Sequence, residues 1–355
     1  MARVELEGLS HRYGDLEAVS DIDLAVEDGE FVVVYGPPGA GKSTLLKLIA
    51  GIEIASVGTI RIGDRSMADL PPQRRDVTMA FESYALYPHF SVRGNLEFPL
   101  KAPGRNISAE ERSDAIVSVA RLLEIEELLD RPPYQLSGGQ RQRVSLGRAL
   151  VREASATLLD EPIAHLDARL RNALRAELRL FQHERGATTI YATPDYSEAF
   201  GVADRIAVLM DGRIEQVDVP QRIFDAPANL RVAAHIGDPK INLVPVVDCA
   251  IAGPAGESYR VAIPGQDASA VHTVGIRPDD IELAPAGEGI AGDVYVSEPL
   301  GPDEVVRVQV GEHLITVRRP LATHARMGER VSLRPRWERA IAFGSDGDLL
   351  AARAD

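Results

Sequence analysis

The chain has 355 residues, of which 45% are hydrophobic and 26% are charged, and this length allows two domains with sizeable cores. Its formal net charge of −14 argues against a nucleic-acid partner, because phosphate groups would repel such a surface. A single cysteine, Cys249, excludes an internal disulfide, and no apolar run approaches the roughly 20 residues needed to cross a bilayer. The first residues lack the apolar stretch of a signal peptide, so we expect a cytoplasmic protein.

Short apolar runs alternate with amphipathic runs through the first two thirds of the sequence. Strands are predicted at residues 31–35, 157–160, 188–192 and 205–210. Helices are predicted at residues 43–50, 109–123, 140–152 and 169–185. This alternation is typical of an α/β fold with a mainly parallel sheet covered by helices.

The pattern changes from about Ile236. Helical periodicity fades, glycine and proline become more frequent, and short alternating runs appear at residues 305–310 and 314–317. Such runs predict a small β-rich, barrel-like domain. We therefore predict two domains, residues 1–235 and 236–355, connected by residues 227–246.

A phosphate-binding loop is predicted between the first of these strands and the first helix. Its glycines let a tight loop aim successive N–H groups at one polyphosphate, and the following helix N-terminus adds a positive dipole. Lys42 supplies a charge for the β- and γ-phosphates, and the Ser43 hydroxyl suits Mg²⁺. This arrangement fits a nucleoside triphosphate with Mg²⁺ rather than a dinucleotide. The nucleotide-binding residues predicted in the loop are Gly36, Pro37, Pro38, Gly39, Ala40, Gly41, Lys42, Ser43 and Thr44.

Two acids, Asp160 and Glu161, follow the apolar run at residues 157–159. Because the carboxyl ends of neighbouring parallel strands share one crevice, both acids should lie beside the phosphate-binding loop. We predict that Asp160 holds Mg²⁺ through water and is part of the nucleotide-binding site. We predict that Glu161 orients or deprotonates the attacking water, with Lys42 as a second catalytic group.

Residues 136–140, Leu-Ser-Gly-Gly-Gln, resemble the signature sequence of ABC transporter ATPases. The resemblance covers residues 3 to about 235 and places Tyr13 at the position of the family's adenine-stacking aromatic residue. Residues 164–167 match the family's D-loop. The resemblance implies a P-loop NTPase ABC cassette with a helical subdomain at about residues 85–155.

The resemblance also implies a head-to-tail dimer with two ATP molecules at the interface. Each ATP would lie between one subunit's phosphate-binding loop and the other subunit's signature turn. The start of a helix supplies N–H donors for such an anion site. ATP would hold the dimer closed until hydrolysis releases it. The residues lent to the partner's nucleotide would be Ser137, Gly138, Gly139, Gln140 and Asp167.

Two positions depart from the family's pattern, and both fall on the half-site with this chain's own phosphate-binding loop. Glu82, in a segment that resembles the Q-loop, stands where the family has glutamine. It is a predicted catalytic and Mg²⁺-binding residue. Its carboxylate lacks the N–H donor of the glutamine amide. Pro194 stands where the family has the switch histidine, and proline offers no side-chain donor. Losing one transition-state contact of this kind typically costs ~3–4 kcal/mol, which is a hundredfold or more in rate.

These departures leave two hypotheses for the dimer. In the first, this chain binds ATP but hydrolyses it poorly, while its signature turn serves the competent site of a second ATPase subunit. In the second, a homodimer tolerates both changes because Glu161 remains. His165, where the D-loop often has asparagine, is interpreted as a polar interface residue, with a contact across the dimer as the alternative.

A weaker resemblance extends into the second domain. Residues 227–229 and 236–242 resemble the linker of carbohydrate-importer ATPases, and residues 275–281 resemble a turn in their OB/TOBE-like regulatory domain. This implies a peripheral protein on the cytoplasmic face of the membrane, with two transmembrane permease subunits and, indirectly, an external solute-binding protein as partners. The cargo would be a sugar, a polyol or a glycerol phosphate, with polyamines, iron or sulfate as alternatives. Residues 84–99, apolar but loop-like, are the candidate surface for a permease helix.

Two other functions remain open from the sequence. A nucleotide-binding regulatory subunit with negligible catalysis is favoured by Glu82 and Pro194. A soluble ABC protein acting on DNA or ribosomes usually has two cassettes or a long coiled-coil insertion, and this sequence contains neither. The preferred interpretation is an importer ATPase that binds ATP and Mg²⁺.

Overall fold

The computed structural model describes residues 2–102, 106–253, 257–321 and 324–353. The chain divides into two compact units, Met1–Pro220 and Gln221–Asp355. The domain boundary predicted from the sequence lies further along, after residue 235. Residues 221–235 group with the second unit, where the Leu230 N–H donates to the Gly347 carbonyl over 2.9 Å and the Ala228 carbonyl accepts from the Leu349 N–H over 3.1 Å.

The first unit contains two sheets and the helices that cover them. Its strands are β1 Val4–Tyr13, β2 Leu16–Val26, β3 Phe31–Tyr35, β4 Val57–Ile62, β5 Arg65–Ser66, β6 Val77–Ala80, β7 Ala156–Asp160, β8 Thr189–Thr193, β9 Arg205–Met210 and β10 Arg213–Asp218. Its helices are α1 Lys42–Ala50, α2 Val92–Glu97, α3 Ala109–Leu122, α4 Gly138–Leu150, α5 Ala168–Arg185 and α6 Tyr196–Val202.

The larger sheet has the strand order β10-β9-β3-β8-β7-β6, and only the pair of β10 with β9 is antiparallel among these neighbours. Every residue of β3, β7 and β8 is buried. Near-continuous apolar runs are expected where both faces of a parallel sheet are covered. The prediction of an α/β fold with a mainly parallel sheet is therefore confirmed. β3 and β7 lie on either side of β8, so their carboxyl ends are at the same edge of the sheet.

The smaller sheet is antiparallel, with the order β2-β1-β4-β5. Its apolar face joins the core that also contains α1 and the central strands. Buried members of this shared core include Val4, Leu24, Leu45, Ile49, Ile60 and Leu158.

Two segments differ from the sequence prediction, and each difference has a local cause. α4 begins at Gly138 rather than residue 140, because the Ser137 hydroxyl accepts the Gln140 N–H and the Gln140 side chain accepts the Ser137 N–H. This capping box offsets the low helix propensity of the two glycines. Residues 84–99, expected to be loop-like, include α2, which is capped by the Ser91 side chain.

The second unit is β-rich, as predicted. Its first helix is α7 Pro220–Asp225, whose first residue belongs to the first unit, and α8 Leu230–His235 follows. Its strands are β11 Asn242–Pro245, β12 Ala250–Ala252, β13 Ser258–Arg260, β14 Thr273–Ile276, β15 Ile281–Pro285, β16 Ile290–Leu300, β17 Asp303–Val310, β18 His313–Pro320, β19 Arg330–Pro335, β20 Ile341–Phe343 and β21 Leu349–Ala351. The main sheets have the orders β11-β14-β20-β21 and β15-β19-β16-β17-β18. Their side chains form a larger apolar cluster, and a smaller one contains Ala233, Ile241, Ile341 and Phe343.

In the described part of the chain, no helix has both the length and the apolar character needed to cross a membrane.

Candidate functional site

The loop between β3 and α1 has the backbone conformation that the phosphate-binding prediction requires. Gly39 and Gly41 have φ angles of 81° and 102°, in the left-handed region that side chains with a Cβ rarely adopt. A Cβ on Gly36 would collide with the Leu209 carbonyl, and one on Gly41 would collide with the Ala18 carbonyl. The glycines are therefore needed both for the turn and for the close packing of the loop on its neighbours.

Lys42 opens α1 and is almost completely buried, with 4% of its surface exposed. Its Nζ donates to the carbonyls of Gly36 and Pro37 over 2.9 and 3.0 Å. Burial lowers the pKa of this ammonium, while the nearby carboxylates of Glu161, Asp160 and Glu82 raise it. The cation is thus fixed over the loop and has acidic groups around it.

Ser43 and Asp160 form the base of the site. The Ser43 Oγ donates to the Asp160 Oδ1 over 2.9 Å, although the two residues are 117 positions apart in the chain. Asp160 is 3% exposed, and burial raises its pKa, while the Ser43 hydrogen bond lowers it. A hydroxyl and a carboxylate oxygen side by side are the kind of ligands that Mg²⁺ takes beside substrate phosphates.

Glu161 has a left-handed backbone, with φ of 45°. Its N–H donates to the Ala192 carbonyl over 3.0 Å, which ties the end of β7 to β8. Burial raises the pKa of its carboxyl group; Lys42 lowers it, and Glu82 raises it. A non-glycine residue in this conformation costs energy and is common at functional sites.

A cleft of about 680 Å³ opens above these residues. The predicted residues that line it are Tyr13, Pro38, Gly39, Gly41, Lys42, Ser43, Thr44, Glu82 and Glu161. Pro194 lines the same cleft, so both departures from the family pattern lie there. Gly36, Pro37, Ala40 and Asp160 are not among its lining residues.

Sequence reasoning did not find the rest of the cleft wall, which consists of Leu16, Glu17, Ala18, Asp211 and Gly212. Gly212 has a left-handed φ of 77°, and its N–H donates to the Ala40 carbonyl over 3.0 Å. The only local signal was an Asp-Gly pair, which is typical of any tight hairpin. The contact of this hairpin with the phosphate-binding loop depends on the fold.

Tyr13 is 41% exposed at the edge of the cleft. Its ring meets the edge of His11 with centroids 4.6 Å apart and planes at 86°. Burial raises the pKa of its hydroxyl group, while a hydrogen bond with Thr44 lowers it. The Tyr13 ring therefore lies against His11 and is partly exposed at the cleft.

The signature turn does not line this cleft in the described part of the chain. Ser137 caps α4, and the first N–H groups of that helix, including those of Gly138 and Gly139, have no intrahelical acceptor. Asp167 caps α5 by accepting the Leu170 N–H over 3.0 Å. These residues therefore lie at the starts of two helices and outside the cleft in the described part of the chain.

Next to Pro194 lies a buried acid that sequence reasoning also missed. Glu198 is 2% exposed, and its Oε2 accepts hydrogen bonds from the hydroxyls of Tyr191 and Thr193 over 2.8 and 2.7 Å. Burial raises its pKa, and both hydrogen bonds lower it. This network fixes the turn that carries Pro194, since the Asp195 N–H donates to the Thr193 hydroxyl over 3.1 Å.

Comparisons with known proteins agree with this geometry. The family model of the ABC transporter matches residues 19–164, and that of the TOBE domain matches residues 274–343. A dimeric structure of the ATP-binding cassette MJ0796 bound to ADP and Pi aligns with a TM-score of 0.56 at 30% identity, covering 61% of this chain and 98% of that one.

Full-length relatives extend the likeness. The chain is 41% identical over 362 residues to the sn-glycerol-3-phosphate import ATP-binding protein UgpC of Cupriavidus necator, with 98% of each covered. It is 48% identical over 290 residues to UgpC of Rhizobium meliloti, with 81% of each covered. It is 43% identical over 332 residues to the sulfoquinovosyl glycerol transport ATP-binding protein SmoE of Agrobacterium fabrum, with 90% of this chain and 91% of that one covered.

The chain therefore belongs to the ATP-binding proteins of the ABC transporter family and is an ABC-type ATPase. The predicted family and fold class are confirmed, including the barrel-like TOBE domain at the carboxyl end.

Proposed function

We propose that this chain is the ATP-hydrolysing subunit of an ABC importer for sugars, polyols or glycerol phosphates. The observation that carries the proposal is the convergence of Lys42, the Ser43–Asp160 pair and Glu161 at one cleft. The N–H groups of the loop and Lys42 would hold the β- and γ-phosphates, and Tyr13 would stack on the adenine.

The residues at the base of the cleft fit Mg²⁺. Ser43 and Asp160 offer two neighbouring oxygens, and Glu82 lies close enough to affect the pKa of Asp160. When bound, Mg²⁺ would neutralise charge that develops on the phosphates. In the described part of the chain no group of three His, Cys, Asp or Glu could hold a metal. Mg²⁺ sites of this type are commonly completed by substrate phosphates.

Glu161 is the proposed general base for the attacking water. Its left-handed backbone and its hydrogen bond to Ala192 hold the residue at the end of β7, beside the cleft. Burial raises its pKa, which brings its basicity closer to the neutral range in which general bases work best. Lys42, opposite, would stabilise negative charge on the transferring phosphoryl group.

The second half of each ATP site would come from a partner ATPase subunit. The signature turn and Asp167 lie outside this chain's own cleft in the described residues, and the first turn of α4 has N–H donors for an anion. A related cassette of known structure is a dimer bound to ADP and Pi. Ser137, Gly138, Gly139, Gln140 and Asp167 would then contact the nucleotide held by the partner.

We infer that the two sites of this dimer differ, with a homodimer as the alternative. Glu82 and Pro194 both line this chain's cleft, whereas the signature turn has an intact capping box. Without the switch histidine, hydrolysis at this cleft should be on the order of a hundredfold slower. A test is ATP turnover by the purified chain with and without a second ATPase from the same organism. Brisk, cooperative turnover by the chain alone would refute the asymmetric dimer.

Residues 84–99 are the proposed docking surface for a permease helix. The rings of Tyr87 and Phe98 are 4.6 Å apart, and Phe98 is 47% exposed. Asn95 is fully buried, and its amide bonds the Tyr87 N–H and carbonyl over 2.8 and 3.1 Å. A rigid, partly exposed aromatic cluster fits a partner helix. Phe98→Glu should abolish co-purification with the permease and leave ATP affinity unchanged. Tyr134→Glu, which changes another exposed aromatic residue, should leave co-purification intact. Equal assembly of the two variants would refute the assignment of residues 84–99 as the docking surface.

For the cargo, the relatives suggest a compound with a glycerol unit, since their names specify sn-glycerol-3-phosphate and sulfoquinovosyl glycerol. The permeases and an external binding protein would select it, and the ATPase would not touch it. We place the chain at the cytoplasmic face of the membrane as a peripheral subunit. Uptake of labelled glycerol 3-phosphate by cells with and without this gene tests the cargo; equal uptake would favour another solute.

A further inference from the structure

Gln142 lies in α4, shortly after the signature turn, and only 3% of its surface is exposed. Its Nε2 donates to the Glu161 carbonyl over 3.0 Å, and its Oε1 accepts the His165 N–H over 3.0 Å. One partner is an acceptor and the other is a donor, so the amide fits in a single orientation. This side chain therefore joins α4 to the end of β7 and to the loop at residues 164–167.

The backbone around this amide leaves little room for independent movement. The Glu161 carbonyl also accepts the Ala164 N–H over 3.4 Å, and Glu161 is in the left-handed conformation. A Cβ on Gly139 would lie 3.1 Å from the Leu166 side chain, so the first turn of α4 already packs on the same loop. A shift at the start of α4 must therefore displace this loop and the backbone of Glu161.

We propose that Gln142 is a positioning residue that couples the signature turn to Glu161. The inference rests on the proposed dimer, in which the signature turn serves the partner's ATP and Glu161 serves this chain's own ATP. When the turn closes on the partner's nucleotide, the Gln142 amide moves the Glu161 carbonyl and the His165 N–H with it. Occupancy of one site thereby sets the geometry of Glu161, the proposed general base, in the other site.

The test compares two buried glutamines. Gln142→Met keeps the side-chain length and removes both hydrogen bonds. Gln182→Met in α5 is the matched control, because Gln182 is 5% exposed and donates to the carbonyls of Gly29 and Ala187 over 2.7 Å each, away from the cleft. Single-turnover ATP hydrolysis and the Kd for MgATP are measured in the ATPase dimer with a companion subunit whose own hydrolysis has been inactivated, so that only the site containing Glu161 turns over.

Gln142→Met should hydrolyse ATP about a hundredfold more slowly, since misplacing a catalytic group by about 1 Å costs that much. Its Kd for MgATP should stay within about twofold, because the phosphate-binding loop is unchanged. Gln182→Met should keep the wild-type rate. Equal rates in the two variants would overturn the role of Gln142 but leave the proposed dimer in place. A wild-type chain that forms no dimer with MgATP, even beside a companion ATPase, would overturn the proposed dimer and the inference with it.

Gln142→Glu adds a pH readout that a purely structural role would not move. An ionised carboxylate still accepts the His165 N–H but faces the Glu161 carbonyl without a donor. A protonated carboxyl regains that donor, and burial raises the pKa of such a group. The rate of this variant relative to wild type should therefore rise as pH falls. A ratio that does not change with pH would contradict the coupling.

Discussion

The Ser43 Oγ donates a hydrogen bond to the Asp160 Oδ1 over 2.9 Å, which joins the first turn of α1 to the end of β7. The two residues belong to separate sequence motifs, and the parallel sheet brings them together because β3 and β7 both pair with β8. The contact places a hydroxyl and a buried carboxylate at the point where the phosphates of a bound nucleotide would meet Mg²⁺.

Ser43→Ala should weaken Mg²⁺ binding at the nucleotide site. The variant loses one proposed ligand oxygen, so we expect a roughly ten- to hundredfold higher Mg²⁺ concentration for half-maximal hydrolysis. Titration of Mg²⁺ at fixed ATP measures this. Ser145→Ala is the control, since the buried Ser145 hydroxyl has no hydrogen bond in the described part of the chain. An unchanged Mg²⁺ requirement in Ser43→Ala would show that Ser43 is not a Mg²⁺ ligand.

The pH dependence of hydrolysis should report Glu161. A general base works only when deprotonated, and burial raises the pKa of this carboxyl above its ordinary value. As pH falls through that raised pKa, kcat should decline, so the acidic limb of the profile should lie at a higher pH than an ordinary glutamate would give. Glu161→Gln should abolish hydrolysis while MgATP still binds. A profile without an acidic limb would exclude Glu161 as the base.

Pro194→His should increase hydrolysis by the chain alone if its own site is degenerate. The new imidazole restores a donor at the cleft, and one such contact is worth on the order of a hundredfold in rate. Single-turnover assays of Pro194→His, and of the same change combined with Glu82→Gln, measure the gain. Thr193 and the Glu198 network stay in place in both variants. No gain in either variant would favour a homodimer that is already competent.

Tyr191→Phe should destabilise the first unit. The change removes the 2.8 Å hydrogen bond to the buried Glu198, and a typical intramolecular hydrogen bond contributes about 0.5–1.5 kcal/mol. Unfolding in urea measures the loss. Tyr134→Phe is the control, because Tyr134 is 79% exposed and should change stability by less than about 0.5 kcal/mol. Equal stability of the two variants would show that the Glu198 network is unimportant for folding.

Gly41→Ala should abolish ATP binding and destabilise the fold more than Gly186→Ala does. Both glycines have left-handed φ angles, of 102° and 59°, which cost a residue with a Cβ roughly 1–2 kcal/mol. Only Gly41 would also place its Cβ against the Ala18 carbonyl, whereas a Cβ on Gly186 would meet no other atom within 4 Å among the described residues. Urea unfolding and ATP titration of both variants measure the difference. Equal losses in the two variants would mean that the loop adapts to the extra atom.

The strands and helices of the first unit were largely predictable because their signals are local. Continuous apolar runs give β3, β7, β8 and β9, and capping residues such as Ser108 mark helix starts. The phosphate-binding loop was predictable for the same reason, since glycine spacing and Lys42 are adjacent in the chain. The roles of Glu82, Pro194 and the signature residues are hypotheses that rest on family resemblance.

Other parts of the site depend on contacts between distant segments. The left-handed Glu161, the buried Glu198 and the two bonds of Gln142 have no distinctive local pattern, because a glutamine or glutamate looks the same in solvent and in a core. The start of α4 at Gly138 was missed because glycine usually disfavours helix, and the Ser137–Gln140 capping box offsets that cost.

Thus the sequence alone was enough to predict the phosphate-binding loop. Its N–H groups, lysine and hydroxyl are neighbours in the chain, so a local turn is sufficient to bring them together. Which carboxylate is buried, how Glu161 is held and what connects it to α4 were decided by folding. Those properties arise when β7, β8 and α4 pack together, since burial and hydrogen bonding between remote residues exist only in the assembled structure.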